Sequence, residues 1–299
     1  MSGIRGTAKE QRIAGQGAVL LCAVLWSTSG LFIKLVNWHP ALIAGGRSAL
    51  ALGVLLLLRR LNRAPAVPLR HVPVLAASGL CNAATMILFV IANKLTASAN
   101  AILLQYTAPV WACLLAWFLL REKPRWEHWI ALCVVGGGML LVFRGGLSGG
   151  SLLGDCLALV SGLTFGANSV VMRMHKDGSP ADVMICSHLT TAAFSLPFFF
   201  LYPPQADAGN VCSILFMGVF QTGAASALFA YGIRRITAVQ AMLLAAIEPV
   251  LNPVWVFLVT GERPVLSVIT GGCIIIAAVV FSSLVGELRL RRNRPVLPY

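Results

Sequence analysis

The sequence predicts an all-α integral membrane protein in which ten transmembrane helices form two inverted five-helix repeats. Three observations lead to this prediction: an apolar composition, a segment that occurs twice, and an uneven distribution of basic residues between loops. Hydrophobic residues make up 58% of the 299 residues and charged residues 11%, whereas soluble domains carry about 25% charged residues. Because few polar side chains remain to cover a surface in water, the chain is suited to lipid.

The repeated segment lies at 95–124 and again at 236–264. Its two copies match at the pairs Thr96 and Thr237, Ala97 and Ala238, Pro109 and Pro249, Glu122 and Glu262, and Pro124 and Pro264. Each copy lies in a half with five apolar stretches, and because five is odd the second half enters the membrane facing the opposite way. Inverted halves are typical of secondary transporters. We therefore predict a single transmembrane domain over 1–299, with repeat one at 14–144 and repeat two at 152–287.

Each repeat contains five apolar stretches, and about 20 such residues are needed to cross a bilayer. The predicted spans are 14–36, 40–60, 72–93, 96–120, 127–144, 152–174, 180–201, 210–233, 237–260 and 265–287. The first stretch follows Arg5, Lys9 and Arg12. It is longer than the apolar core of a signal peptide and a second span follows at once, so we interpret it as a retained helix.

The basic residues test the number of spans. With the N-terminus in the cytoplasm, 18 of the 23 basic residues fall in cytoplasmic segments: Arg5, Lys9, Arg12, Arg59, Arg60, Arg63, Arg70, Arg121, Lys123, Arg125, Arg173, Lys176, Arg234, Arg235, Arg289, Arg291, Arg292 and Arg294. Four fall outside, namely Lys34, Lys94, Arg144 and Arg263, and Arg47 lies within a span. Cytoplasmic loops carry an excess of Lys and Arg, so this asymmetry predicts ten spans with both termini in the cytoplasm. It also explains the net charge of +13 without a nucleic-acid partner.

Local signals support the helix ends and the packing. Ser179 followed by Pro180 and Asp182 has the pattern of a capped helix start. Gly162 and Gly166 are spaced to give a smooth face against which another helix backbone can pack.

Glu248 is the acidic residue that lies well inside a predicted span. A charge at the bilayer centre costs about 2.5–3.5 kcal/mol on insertion scales, so it should face a cavity or a partner. One interpretation is that Glu248 binds a substrate amine or carries a proton. The other is that it steadies a kink made by Pro249 and Pro253.

Arg47 lies seven residues after Pro40, which places it about 10 Å along the second helix. Arg47 and Glu248 are then near enough in depth to pair. Arg47 either attracts a substrate carboxylate, or has a structural role in which it reaches the interface or binds backbone carbonyls.

Pro109, Pro249 and Pro253 are predicted to interrupt corresponding helices in the two halves. Broken helices at matched positions indicate a site at the bilayer midplane, because they free backbone groups for a ligand. A packing kink is the alternative interpretation. The remaining candidate substrate-binding residues near mid-depth are polar or aromatic: Trp26, Asn82, Gln105, Tyr106, Phe165 and Asn168.

Several function classes are disfavoured. The eight cysteines are scattered singly, no CxxC occurs, and we predict neither disulfides nor metal sites nor any cofactor. No phosphate-binding GxxxxGK[ST] loop is present. The histidines are dispersed and no paired acids lie within spans, so we predict that the chain is not an enzyme.

The motifs resemble a known family, the drug/metabolite transporter superfamily in its EamA-like branch. The matching pieces are LLCAVLWSTSGLFIKL at 20–35, HPALIAGGR at 39–47, LLQYTAPV at 103–110 and AIEPV at 246–250. Tyr106 resembles the aromatic position of the amino-acid exporters of this family, the YddG-like branch. The second copy is more divergent, because Phe165 and Arg173 stand where the first copy has Trp26 and Lys34.

The resemblance implies a bacterial inner-membrane carrier of small organic metabolites, working as an exporter or in uptake. It also implies a central cavity lined by spans 1–4 and 6–9, with spans 5 and 10 at the periphery. We therefore expect a secondary transporter that exports amino acids or similar metabolites by alternating access. A multidrug or nucleobase/nucleotide-conjugate carrier of the same fold is the alternative. Proton coupling through Glu248 and simple facilitated efflux both remain open.

Overall fold

The computed structural model describes a helical chain. The described residues are 8–29, 32–33, 36–63, 72–96, 101, 104–123, 125–143, 151–174, 179–205, 207–260 and 266–292, and no strand occurs within these ranges. The predicted outer-face residues Lys34, Arg144 and Arg263 lie outside them, as do Pro124, Glu262 and Pro264 of the repeat.

The helices follow one another with short connections. They are α1 (Ala8–Ser27), α2 (Pro40–Leu61), α3 (Val72–Leu95), α4 (Ala108–Leu120), α5 (Trp126–Phe143), α6 (Leu152–Met174), α7 (Pro180–Leu201), α8 (Ala208–Ile233), α9 (Ala238–Ala245), α10 (Glu248–Thr260) and α11 (Leu266–Arg292). Within α8, the residues Met217–Ala224 form a π-helical segment.

Five of these helices, α2, α3, α6, α7 and α8, are long and apolar enough to cross a membrane by length and composition. Shorter apolar segments lie within α4 (Ala108–Leu120), α5 (Trp126–Leu141) and α11 (Ile269–Ala278). Another, Ala238–Leu251, covers α9, the turn at 246–247 and the start of α10. Large apolar side chains such as Phe118, Leu152 and Phe200 are 74–80% exposed. Such side chains are suited to lipid contact, in agreement with a multi-pass membrane protein.

The fourth and ninth predicted spans are each interrupted. Residues 106–107 and 246–247 are turns, and α4 and α10 begin directly after them. Proline lacks an N–H group and disfavours helical geometry in the preceding residue, so the turns precede Pro109 and Pro249. The third proposed interruption differs, since α10 continues through position 253. Membrane helices tolerate a proline where neighbouring groups replace the lost hydrogen bond.

The predicted cap at Ser179 is present, and a second cap, which was not predicted, lies at Thr237. The Ser179 hydroxyl accepts a hydrogen bond from the Asp182 backbone N–H at 3.3 Å, which fixes the start of α7. Thr237 and Gln240 form a capping box at the start of α9. These local bonds satisfy backbone donors that a helix start leaves without partners.

Contacts between helix ends define the two ends of the bundle. At one end, Arg235 just after α8 donates to Gln11 near the start of α1 at 3.0 Å, and Arg173 at the close of α6 donates to the Ile233 carbonyl at the close of α8 at 3.0 Å. At the opposite end, Thr96 after α3 donates to Asp155 at the start of α6 at 2.7 Å. The helix α1 therefore begins at the end where α6 finishes.

Glycines allow α6 to pack directly on the chain near the first interruption. A Cβ atom at Gly162 would lie 2.7 Å from the Gln105 carbonyl oxygen, and one at Gly166 would lie 2.7 Å from that of Ala108. Both distances are shorter than a carbon can approach an oxygen, so the predicted glycine face is used here for backbone packing.

We expect Gly166→Ala to destabilise the protein by about 1–3 kcal/mol, because the new methyl group would overlap backbone atoms of α4. The midpoint of thermal unfolding in detergent is the measurement. Gly137→Ala in α5 is the matched control, since a Cβ atom there would meet no heavy atom within 4 Å. Equal midpoints for the two variants would contradict the packing described here.

Candidate functional site

The two interrupted helices meet through Tyr106. Its hydroxyl lies 2.5 Å from Glu248 Oε2 and 3.2 Å from the Ala245 carbonyl oxygen. The Ala245 carbonyl would pair with the N–H of residue 249 in a continuous helix, but that residue is proline and has none. The Tyr106 hydroxyl therefore contacts the Ala245 carbonyl, which has no helical donor, and the Glu248 carboxylate at the start of α10.

Glu248 is positioned by the same interruption. It is the first residue of α10, and the residue as a whole is half-buried. A carboxylate in the first turn of a helix is stabilised by the helix dipole. The Tyr106 hydrogen bond adds a charge-assisted contact, which leaves the remaining acceptor capacity of Glu248 for another donor.

Arg47 is the buried cation of the site. It lies on α2, is 4% exposed, and its Nη2 is 3.0 Å from Met86 Sδ on α3. A thioether is a weak acceptor. Its Nε has no hydrogen-bond partner among the described residues. Arg47 and Glu248 are a basic and an acidic side chain in the same helical interior, where the low dielectric constant lets ionised groups act on each other over longer distances than in water.

Asn82 and Asn168 belong to a hydrogen-bonded network that joins α3, α6 and α7. The Ser78 hydroxyl lies 2.5 Å from Asn168 Oδ1 and 2.7 Å from the Ser187 hydroxyl, while Asn82 Nδ2 donates to Thr191 Oγ1 at 3.1 Å. Both asparagines are buried, with 4–5% exposure. Their polar groups thus have protein partners across three helices.

The other predicted residues are placed nearby on different helices. Gln105 Nε2 donates to the Ser161 hydroxyl of α6 at 2.8 Å. The Trp26 ring packs edge-on against Phe165 with centroids 5.7 Å apart, and it also packs against Phe229 at 5.4 Å. These rings form an aromatic cluster that joins α1, α6 and α8.

Sequence reasoning missed two members of this arrangement. The missing helical donor of the Ala245 carbonyl was predictable, because Pro249 lies four residues later and has no N–H group. The contact between Met86 and Arg47 was not predictable, since an unbranched apolar residue in a span does not indicate that a cation packs on its sulfur.

A separate cavity of about 400 Å³ lies at the end of the bundle where α1 begins. It is lined mainly by cationic and polar residues: Arg12, Glu122, Lys123, Arg125, His128, Arg173, Arg235, Ile236, Thr237, Val239 and Gln240. The basic residues here belong to the set that the sequence analysis assigned to one face of the membrane.

Apolar helices surrounding buried charged groups define a multi-pass membrane protein with a polar interior site. The chain belongs to the EamA-like transporter family, whose model matches residues 13–144 and again residues 152–284. Both halves are thus built on the same family pattern, and the protein is a transporter of this family.

Relatives agree with this assignment. An uncharacterized transporter of Archaeoglobus fulgidus is 28% identical over 271 residues, covering 90% of this chain and 96% of the relative. The uncharacterized transporter YwfM of Bacillus subtilis is 28% identical over 242 residues, covering 77% and 80%. One protein crystal structure matches with a TM-score of 0.79 at 19% identity, over 96% of this chain and 99% of the other, which shows a shared fold.

We expect Tyr106→Phe to lower the free energy of unfolding by about 1.5–3 kcal/mol, because it removes a hydrogen bond to a carboxylate. A double-mutant cycle with Glu248→Gln isolates the pair, and a coupling energy of about 0.5–3 kcal/mol is expected for residues in contact. Thermal unfolding of the four proteins in detergent is the measurement. Strictly additive effects would show that the two side chains do not interact.

Proposed function

We propose that this transporter carries amino acids or similar zwitterionic metabolites out of the cell across a bacterial inner membrane. The observation that carries the proposal is that the helical interior holds one acidic and one basic side chain: a half-buried Glu248 at the helix interruption, and a buried Arg47 whose Nε has no partner in the described part of the chain.

The two charges suit the two ends of an amino acid. A substrate ammonium group donates to the Glu248 carboxylate, and a substrate carboxylate accepts from Arg47 in place of the weak Met86 sulfur contact. Charge-assisted hydrogen bonds of this kind are about twice as strong as neutral ones. The aromatic cluster of Trp26 and Phe165 offers an apolar wall for a substrate side chain.

The course of the helices supports alternating access. The helix α1 begins at the end of the bundle where α6 finishes, as expected if the second repeat is inverted relative to the first. Inverted halves can rock around a site at their interface and expose it to one side of the membrane at a time. The gathering of Arg12, Arg173 and Arg235 at one end favours a cytoplasmic location for that end and for both termini.

Transport in proteoliposomes tests the substrate class. Purified protein is reconstituted and loaded with unlabelled compound, and counterflow of radiolabelled amino acids, nucleobases and cationic drugs is measured. We expect saturable exchange of amino acids. Exchange restricted to drugs or to nucleobases and nucleotide conjugates would replace this proposal with the alternative carrier.

Single substitutions test the two charges. We expect Glu248→Gln and Arg47→Gln each to lower amino-acid counterflow at least tenfold, because either change leaves one end of the zwitterion without a partner. A tenfold loss corresponds to about 1.4 kcal/mol.

Glu10→Gln and Arg60→Gln are the matched controls, since they make the same changes at exposed side chains. Normal counterflow in both site variants would contradict the assignment.

Proton coupling through Glu248 is tested with a pH gradient across the vesicle membrane. If protons are coupled to transport, the gradient should drive uptake by the native protein and not by Glu248→Gln. If transport is facilitated efflux, the gradient should have no effect on either protein.

A further inference from the structure

The cavity at the end of the bundle where α1 begins has a strongly cationic wall. Arg12, Lys123, Arg125, Arg173 and Arg235 line it together with a single carboxylate, that of Glu122. The preference for basic residues in cytoplasmic loops explains why these residues are present. That preference alone does not require the cations to line one concave surface. Here they come from four places: α1, the connection before α5, α6 and the end of α8.

Two of these cations are held in fixed positions. Arg173 Nη1 donates to the Ile233 carbonyl at 3.0 Å while its Nε lies 3.2 Å from Glu122 Oε1. Arg235 donates to the Tyr231 carbonyl at 2.7 Å and its guanidinium lies 3.4 Å from the centre of the Tyr231 ring. Side chains that are already ordered lose less conformational entropy when a ligand binds.

A buried imidazole faces the same cavity. His128 lines it, is 7% exposed, and its Nδ1 has no hydrogen-bond partner in the described residues. Leaving a buried polar group without a partner costs about 1–3 kcal/mol. Nδ1 itself is enclosed by protein, so a ligand oxygen would accept from it, and remove that cost, once the ring turns toward the cavity.

The beginning of α9 adds a further positive contribution. Thr237 and Gln240 line the cavity at the first turn of this helix. The helix dipole places partial positive charge at this end, which favours an anion at the same position as the cationic side chains.

We propose that this cavity binds a phosphate group, carried either by a soluble phosphate compound or by the headgroup of an anionic lipid. Phosphate offers several oxygens and close to two negative charges, and it suits guanidinium groups in fixed orientations. Glu122 pairs with Arg173 and Glu127 lies 3.8 Å from Arg125, so the five cations of the lining outnumber these two carboxylates and the wall keeps a net positive charge. The site is distinct from the charge pair of Arg47 and Glu248, since it lies beyond the start of α9 at the end of the bundle.

Isothermal titration calorimetry of the full-length protein in a neutral detergent, with inorganic phosphate, tests the site. We expect saturable binding whose Kd rises at least tenfold in the Lys123→Gln/Arg125→Gln double variant, whose two side chains are exposed. Because Arg125 lies 3.8 Å from the buried Glu127, the thermal unfolding midpoint of this variant is measured alongside, and its Kd is compared with that of Lys123→Gln alone. The Kd should rise in His128→Ala as well. The control is Arg60→Gln/Arg63→Gln, which removes two exposed cations outside the cavity and should change the Kd less than twofold.

Lipid nanodiscs distinguish the two sources of the phosphate group. If a headgroup is the ligand, native mass spectrometry should show phosphatidylglycerol retained by the native protein and lost from the Lys123/Arg125 variant, and phosphate binding should weaken in phosphatidylglycerol discs relative to phosphatidylcholine discs. A soluble ligand predicts equal phosphate binding in both discs and no retained lipid.

Three results would overturn the proposal: neither phosphate binding nor lipid retention, equal weakening in the cavity and control double variants, or an unchanged Kd in His128→Ala. Amino-acid counterflow is measured separately, so loss of the proposed transport function would not be mistaken for loss of this site.

Discussion

Prolines at positions 109 and 249 remove the backbone donors that the carbonyl groups of Gln105 and Ala245 would otherwise use. Within a bilayer no water replaces them, so a neighbouring part of the protein must accommodate each carbonyl. The Gln105 carbonyl packs against α6 at Gly162, where any side chain would overlap it. The Ala245 carbonyl is contacted by the Tyr106 hydroxyl. Close packing of α6 and the inward position of Tyr106 thus both follow from the two missing donors.

The same constraint places the charged groups. Because the second interruption ends at Glu248, the carboxylate stands at a helix start, where the dipole and the Tyr106 hydroxyl both stabilise it. Arg47 on α2 is the buried basic residue of the same helical interior. The helix interruption, the acid and the tyrosine therefore form one physical unit.

Local sequence signals predicted the features that depend on neighbours in the chain. The Ser179 cap and the glycine face of α6 were predictable because a hydroxyl before a proline and a four-residue glycine spacing each have a direct structural consequence. The exact turns at 106–107 and 246–247 were not, since a proline is compatible with either a kink or a full interruption. The partners of Asn82 and Arg47 depend on tertiary packing, which one sequence without related sequences does not specify.

The two halves share an outline but differ in their chemistry. Aligning Pro109 with Pro249 places Tyr106 opposite Ala246 and Glu248 opposite Ala108. The central hydrogen bond is therefore made by one residue from each half, and neither residue has an equivalent in the other. Two facing glutamates would repel each other at low dielectric constant, whereas a tyrosine and a glutamate form one charge-assisted bond. The repeated pattern thus fixes where the chain is interrupted, and the differences between the copies make the contact between the two interruptions polar and asymmetric.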